Sequence, residues 1–210
     1  MNEGKRIDFK EHLKKFKKKN FDNFWNEWGK PLLIAGILTV LLRTFVIQPF
    51  KIPTNSMYET LKPRDRIFVS KFIYGAKVPF TDIRVAKIRS PRLGDIVVFT
   101  SPVEKKKYLI KRFIAGGGKN VQLEEGRLFV DGKAVESSPF KKLFYYNRGR
   151  YGAEGEIIKV PEGYFYVLGD NSANSMDSRY WGFVPDENLV GKAIFRFWPP
   201  KRIGIMKEGE

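Results

Sequence analysis

The sequence predicts a mainly β domain carried behind one membrane-spanning helix, and three observations make that prediction. From residue 66 onward, short runs of alternating apolar and polar residues recur between Gly, Pro and Asp turns. No amphipathic pattern longer than two helical turns follows residue 60, so helices are not the frame of this region. Ahead of it, residues 31–42 read Pro-Leu-Leu-Ile-Ala-Gly-Ile-Leu-Thr-Val-Leu-Leu, without a charge.

Residues 1–27 form a basic segment, with Lys14, Lys15, Lys17, Lys18 and Lys19 close ahead of the apolar stretch. Extended to residues 28–48, that stretch has about 20 residues, enough to cross roughly 30 Å of hydrocarbon as a helix. Trp25 and Trp28 suit the near interface, Pro31 the first helical turn, and Arg43 a side chain that snorkels at the far end. No small-x-small site follows, so the helix is expected to be retained rather than removed as a leader. A buried soluble helix would alternate with polar positions, and this one is apolar all round. The lysine flank directs the N-terminus to the cytoplasm and residues 49–210 to the outside.

Within that outer region the expected strands are 66–69, 95–99, 108–114, 127–130, 133–135, 157–160, 164–168 and 192–198. Asp131-Gly132 is a two-residue hairpin signal between two of them. The strands lie too close in sequence for parallel crossovers, so antiparallel pairing is expected. Residues 119–160 are expected to form a smaller inserted β region.

Composition narrows the chemistry. With 42% hydrophobic and 15% aromatic residues, the chain has enough apolar surface to fold. The absence of Cys excludes disulfides, Cys-bound zinc, iron–sulfur clusters and thiol nucleophiles. One histidine, His12, lies among the lysines, which excludes a multi-His metal site and a Ser-His-Asp triad. Chemistry therefore falls to Ser, Thr, Lys, Tyr, Asp, Glu or Arg, and neither a metal nor an organic cofactor is expected. A net charge of +16 suits an anionic surface, but it is spread over the chain with no Arg-rich tail. That spread, with an outward-facing domain, argues against nucleic acid.

Three segments can carry chemistry. Ile52-Pro53-Thr54-Asn55-Ser56-Met57 can present a serine hydroxyl on an irregular turn, or Ser56 can be a plain helix cap with Glu59 at capping-box spacing. In the strand at 108–114, Lys111 shares a face with Leu109 and Phe113, as either an edge charge or a desolvated amine. Desolvation lowers a lysine pKa, and without a usable His a Ser-Lys pair is the next form of the activated nucleophile. The polar stretch from Gly169 to Gly182 suits a hydrogen-bonded platform; it starts like a calcium loop but lacks the acid that loop needs at its end.

Together these segments resemble type I signal peptidases, the membrane-anchored Ser-Lys endopeptidases of bacteria. The resemblance runs from about Arg43 to Trp198. It rests on Arg43-Thr-Phe-Val, Pro49-Phe-Lys-Ile-Pro-Thr-Asn-Ser-Met57 with Leu61, Gly94-Asp-Ile-Val-Val-Phe99, Ile110-Lys-Arg112, and Gly169-Asp-Asn followed by Asn174-Ser-Met-Asp-Ser-Arg-Tyr-Trp-Gly182. The resemblance implies Ser56 as nucleophile, Lys111 as general base, and the Ser56 N–H with the Thr54 hydroxyl as oxyanion hole. It implies that Ser175 orients the lysine, with Asp170, Arg112, Asn174, Asp177 and Arg179 as structural support. Small pockets would be lined by Phe50, Ile52, Met57, Leu61, Val98 and Ile110. The implied activity is cleavage of signal peptides from exported preproteins, by a single-pass protein of a bacterial cytoplasmic membrane with its catalytic domain outside. The implied partners are preprotein signal peptides and the lipid bilayer. This chain departs from the family pattern at Glu59, where Pro is usual, at Leu109, where an aromatic is usual, and in Ala115-Gly-Gly-Gly-Lys119. The rival reading is a membrane-tethered β-barrel adaptor that binds anionic lipid or a partner protein through aromatics such as Tyr145, Tyr146 and Tyr151.

Overall fold

The computed structural model describes residues 24–41, 47–58, 60–75, 88–104 and 106–206. The lysine-rich start with His12, Arg43 and Glu59 lie outside the described residues. The chain divides into two compact units, one within residues 1–43 and the other within 44–210.

In the first unit a π-helical stretch, Trp25–Gly29, continues into α1 (Lys30–Leu41). Pro31 follows the π-helical stretch directly, so the expected placement in a first helical turn is not found, and its missing N–H takes one bond out of the continuous helical ladder. Leu32, Leu33, Ile34, Ile37 and Leu38 are all exposed. No helix among the described residues is long and apolar enough to cross a membrane. The expected helix over 28–48 is also too long at its far end. Ile47 and Gln48 open a strand instead, and pairing with Ser70 and Val69 draws their backbone into a sheet ladder.

The second unit is mainly β, as expected. Its larger sheet contains β1 (Ile47–Lys51), β2 (Arg66–Ser70), β3 (Ile96–Thr100), β4 (Tyr108–Gly116), β9 (Tyr164–Leu168), β10 (Val184–Pro185), β11 (Leu189–Trp198) and β12 (Gly204–Ile205). The strand order is β1-β2-β11-β3-β4-β9-β10, with β12 on β11, and every pairing is antiparallel. The smaller sheet has the order β7-β6-β5-β8, from β5 (Asn120–Glu124), β6 (Arg127–Val130), β7 (Lys133–Ala134) and β8 (Ile157–Lys159). Its strands lie between residues 120 and 159. Asp131 and Gly132 join β6 to β7 with φ of 50° and 74°, the two positive values that a type I′ turn needs.

Strand alternation distributes the core. On β3, Ile96 and Val98 face one cluster with Ile52, Met57, Leu61, Ile67 and Val69, whereas Val97 and Phe99 face another with Phe113, Phe165 and Val167. Burial on both faces explains why β3 is a continuous apolar run rather than an alternating one. A bulge between Phe113 and Ala115 turns the end of β4 toward the insertion, so Ile114 and Ala115 pack with Val121, Leu123 and Leu128. Tyr145, expected on the surface, is buried in that same cluster, where it adds a large apolar ring to a small core.

The larger sheet also curls. β1 and β4 are four steps apart in strand order, about 19 Å if the sheet were flat. Yet the Phe50 and Tyr108 rings meet edge to face with centroids 5.4 Å apart. The strand at one edge has come round to face β4.

Candidate active site

The curl brings two distant segments together. Chain leaving β1 forms a loop that closes on itself, with Ile52 N–H donating to Asp65 O and Arg64 N–H to Ile52 O, both at 2.9 Å. Buried Ile52, Met57 and Leu61 plug the loop into the core. Between them the backbone makes one tight turn, with Tyr58 N–H bonded to Asn55 O and Leu61 N–H to Met57 O. Among the described residues the segment after Ser56 is turn rather than helix, and Glu59, the expected capping partner, lies outside the described residues.

The Ser56 hydroxyl faces β4 instead. Lys111 Nζ lies 2.7 Å from Ser56 Oγ, and its other bond is to Ile110 O at 3.2 Å. Lys111 is 3% exposed and Ser56 8%. Burial lowers the Lys111 amine from its ordinary 10.5 to about 8, while the Asp177 and Asp170 carboxylates resist that fall. Neither carboxylate bonds the amine, because each is committed to an arginine. Lys111 is therefore a desolvated amine rather than an edge charge. Thr54 Oγ1 lies 3.4 Å from Ser56 Oγ, at the more open side of the turn.

The loop after β9 forms the platform. Asp170 receives Arg112 Nε at 2.7 Å and Nη2 at 2.5 Å, and Arg112 Nη1 reaches Gly94 O at 2.6 Å. Asp177 receives Arg179 Nε at 2.8 Å and Nη2 at 2.9 Å. Both pairs are buried and two-pronged, the geometry in which an arginine fork repays part of its desolvation. Asp177 also accepts the Gly169 N–H at 2.9 Å. Asn174 differs from the expectation: it is exposed, and its side chain makes no hydrogen bond among the described residues.

Ser175 is a second difference. It is 4% exposed, but its hydroxyl has no hydrogen-bond partner, so the expected bond to the lysine is not formed here. Its Oγ packs against Gly169 instead; a Cβ at 169 would collide with it and lie 2.6 Å from Ser56 O. Gly169 is thus required by close approach.

A cleft of about 370 Å³ runs from Ser56 and Lys111 past Phe50, Ile52, Met57 and Ile110 to Tyr108. Leu61 and Val98, expected in its walls, do not line it. Both are fully buried beneath: strand alternation turns Val98 into the core with Ile67, Val69 and Ile96, and Leu61 plugs into the same core from the loop. Along one edge β4 pairs with β3 through residues 108–112, while β9 covers the other edge only from Arg112 onward. Residues 108–111 therefore keep one edge without a strand partner among the described residues, and the cleft lies along it.

Several supporting residues were not visible in the spacing. Asn171 holds the serine turn twice, N–H to Ser56 O and Nδ2 to Asn55 O, both at 3.0 Å. Ser172 accepts from Arg179 Nη1 at 2.6 Å through its hydroxyl. Thr60 bonds both Asp170 and Arg112. Asn171 and Ser172 at least fall in the polar stretch already singled out; nothing local marks Thr60. Among the described residues no three His, Cys, Asp or Glu are grouped so as to hold a metal ion.

A buried serine facing a desolvated amine is equipped for acyl transfer, with the serine as nucleophile and the amine as proton acceptor. Comparison with known proteins leads the same way. Residues 25–198 match the family model described as signal peptidase, peptidase S26. A probable signal peptidase I-2 from Synechocystis sp. is 37% identical, over 89% of this chain and 79% of that protein. Signal peptidase I of Pseudomonas fluorescens is 34% identical, over 86% and 79%. Signal peptidase I T of Bacillus subtilis is 35% identical, over 84% and 87%. A match of this extent, across the very strands that bring serine and lysine together, places the chain in the signal peptidase family, peptidase S26.

Proposed function

We propose that this protein removes N-terminal signal peptides from exported preproteins at the outer face of a bacterial cytoplasmic membrane. The observation that carries the reading is the 2.7 Å approach of Lys111 Nζ to Ser56 Oγ in a water-poor setting. The neutral amine takes the hydroxyl proton as Ser56 Oγ attacks the scissile carbonyl. The Ser56 N–H and the Thr54 hydroxyl stabilise the oxyanion, a role in which one donor is worth about 10²–10³ in rate. Lys111 then returns the proton to the leaving amine, and a water activated by the same base hydrolyses the acyl-enzyme.

The substrate lies extended beside the unpaired edge of residues 108–111, adding a strand and taking main-chain bonds there. Phe50, Ile52, Met57 and Ile110 shape the pockets that admit small side chains at the −1 and −3 positions. Ser175, buried with its hydroxyl unpartnered, is the residue that the family resemblance assigns to orienting the amine. The apolar segment that begins at residue 28 anchors the chain in the bilayer, with residues 1–27 on the cytoplasmic side. Enzyme and membrane-held substrate then share one surface, which raises effective concentration.

The test is mass spectrometry of a model preprotein incubated with the purified full chain in detergent. The reading expects two fragments, cut after a small residue, and none with Ser56→Ala. An intact preprotein with the wild type, or cutting that survives in Ser56→Ala, refutes it.

A further inference from the structure

We propose that Thr60 is a positioning residue for the Ser56–Lys111 pair: it pins the serine-bearing turn to the lysine-bearing strand. Thr60 lies one turn beyond Ser56, and its N–H closes that turn onto Met57 O at 3.0 Å. Its hydroxyl donates to Asp170 Oδ2 and accepts from Arg112 Nη2 at 3.1 Å. Arg112 is the neighbour of Lys111 on β4, and Asp170 is the neighbour of Asn171, which holds the Ser56 carbonyl. One hydroxyl therefore joins the turn, the strand and the platform loop.

The carbonyl of Thr60 is held from the other side. It accepts from Arg196 Nη1 at 3.0 Å and Arg202 Nη2 at 3.3 Å. The same arginines reach Asp65, at the far end of the serine loop, at 3.7 and 2.9 Å. All three polar groups of Thr60 are thus engaged, by its own turn and by partners from three other parts of the chain. Without its hydroxyl, the turn keeps its apolar plugs, its backbone bonds and the Asn171, Arg196 and Arg202 contacts, but loses its side-chain tie to Arg112, the neighbour of Lys111, and to Asp170. Misplacement of a reacting group by about 1 Å can cost about 100-fold in rate. Thr60 touches neither the cleft nor the lysine amine, so it acts through placement alone.

The inference rests on Ser56 and Lys111 being the reacting pair. Its test uses the full chain in detergent with a model preprotein, reading kcat per folded molecule, KM and the pH profile for Thr60→Val and Thr60→Ser. Thr60→Val is expected to lower kcat about tenfold or more, with KM within about twofold. Lys111 stays buried beside the same two carboxylates, so the acid limb of the profile is expected to stay in place. Thr60→Ser keeps the hydroxyl and is expected to restore most of kcat. Unchanged kcat in Thr60→Val, or an equal loss in Thr60→Ser, overturns the proposal, as does a displaced acid limb. If Thr60→Val does not fold, Arg202→Gln removes one carbonyl donor from a partly exposed side chain: a fall in kcat at constant KM supports the pin, and an unchanged kcat overturns it. A wild type that cuts nothing defeats the peptidase reading itself, whereas a wild type and Thr60→Val that cut equally well defeat only this inference.

Discussion

At the scale of single residues, the decisive quantity is the protonation of Lys111. With its pKa near 8, about 1 in 10 molecules carries a neutral amine at pH 7, against about 1 in 3,000 at the ordinary value. Cleavage is therefore expected to rise with pH through about 8, and a pH–rate profile of kcat checks it. Lys111→Ala is expected to abolish cleavage along with that limb, and Ser56→Ala/Lys111→Ala to be no worse than either single change, since the two side chains act as one unit. Additive losses would separate them. The same desolvation makes a stability prediction. Below pH 8 the folded chain buries a charged amine at full cost, and between about 8 and 10.5 the unfolded chain holds the extra proton, so stability rises with pH. Lys111→Met is thus expected to raise the unfolding free energy at pH 6–7 by up to about 3 kcal/mol and to lose that gain as pH approaches 10.5. Thermal unfolding at several pH values measures it, and a gain independent of pH would show that the amine carries no such cost.

At the scale of elements, β4 serves three neighbours at once: β3 along one edge, β9 beyond Arg112 on the other, and the open cleft beside residues 108–111. Its alternation puts Lys111 and Arg112 on opposite faces, one aimed at the serine turn and the other at Asp170. Breaking that buried ion pair leaves a guanidinium without its counter-charge, so Asp170→Asn is expected to cost about 3–5 kcal/mol, read as a lower denaturant midpoint. A shift of under 1 kcal/mol would mean that water reaches the pair. The open half of β4 makes a different prediction. Ile110 lines the cleft and is only half-buried, so a larger ring there fills substrate space without overpacking the core. Ile110→Trp is expected to lower kcat/KM about 100-fold or more while the unfolding midpoint moves little. Unimpaired cleavage would place the substrate along another edge.

At the scale of the whole molecule, the curl of the larger sheet assembles the site, while residues 108–111 of β4 keep one edge without a strand partner among the described residues. The proposed topology adds a prediction for intact cells with a permeabilised outer envelope. Added protease is expected to digest residues 51–210 and to spare the basic first 27. Protection of the β unit would reverse the orientation and remove the export reading.

Much of this was legible in the sequence because the signals are local. Period-two alternation marked β2, β4, β6 and most of β11, continuous apolar runs between turn residues marked β3 and β9, and Asp131-Gly132 marked its hairpin, since these follow from the pleat, from burial on both faces and from φ. The strands that escaped were those with weak patterns: β1, which carries Pro49 and adjoins an apolar helix, and the two-residue β10 and β12. β5 does alternate, with Val121 and Leu123 buried, but it follows a glycine run and reads as a continuation of that loop. Residue types alone excluded thiol and multi-histidine chemistry, because the chain has no cysteine and one histidine, and the family resemblance then pointed to Ser56 and Lys111. Only the tertiary structure decided that Ser56 and Lys111, 55 positions apart, lie 2.7 Å apart, that Leu61 and Val98 sit under the cleft rather than in it, and that Thr60 ties the turn to Arg112 and Asp170. The physical reason is that periodicity reports which face of a strand a residue occupies, whereas its neighbours across that face are chosen by strand order and sheet curl, which no short window of sequence contains.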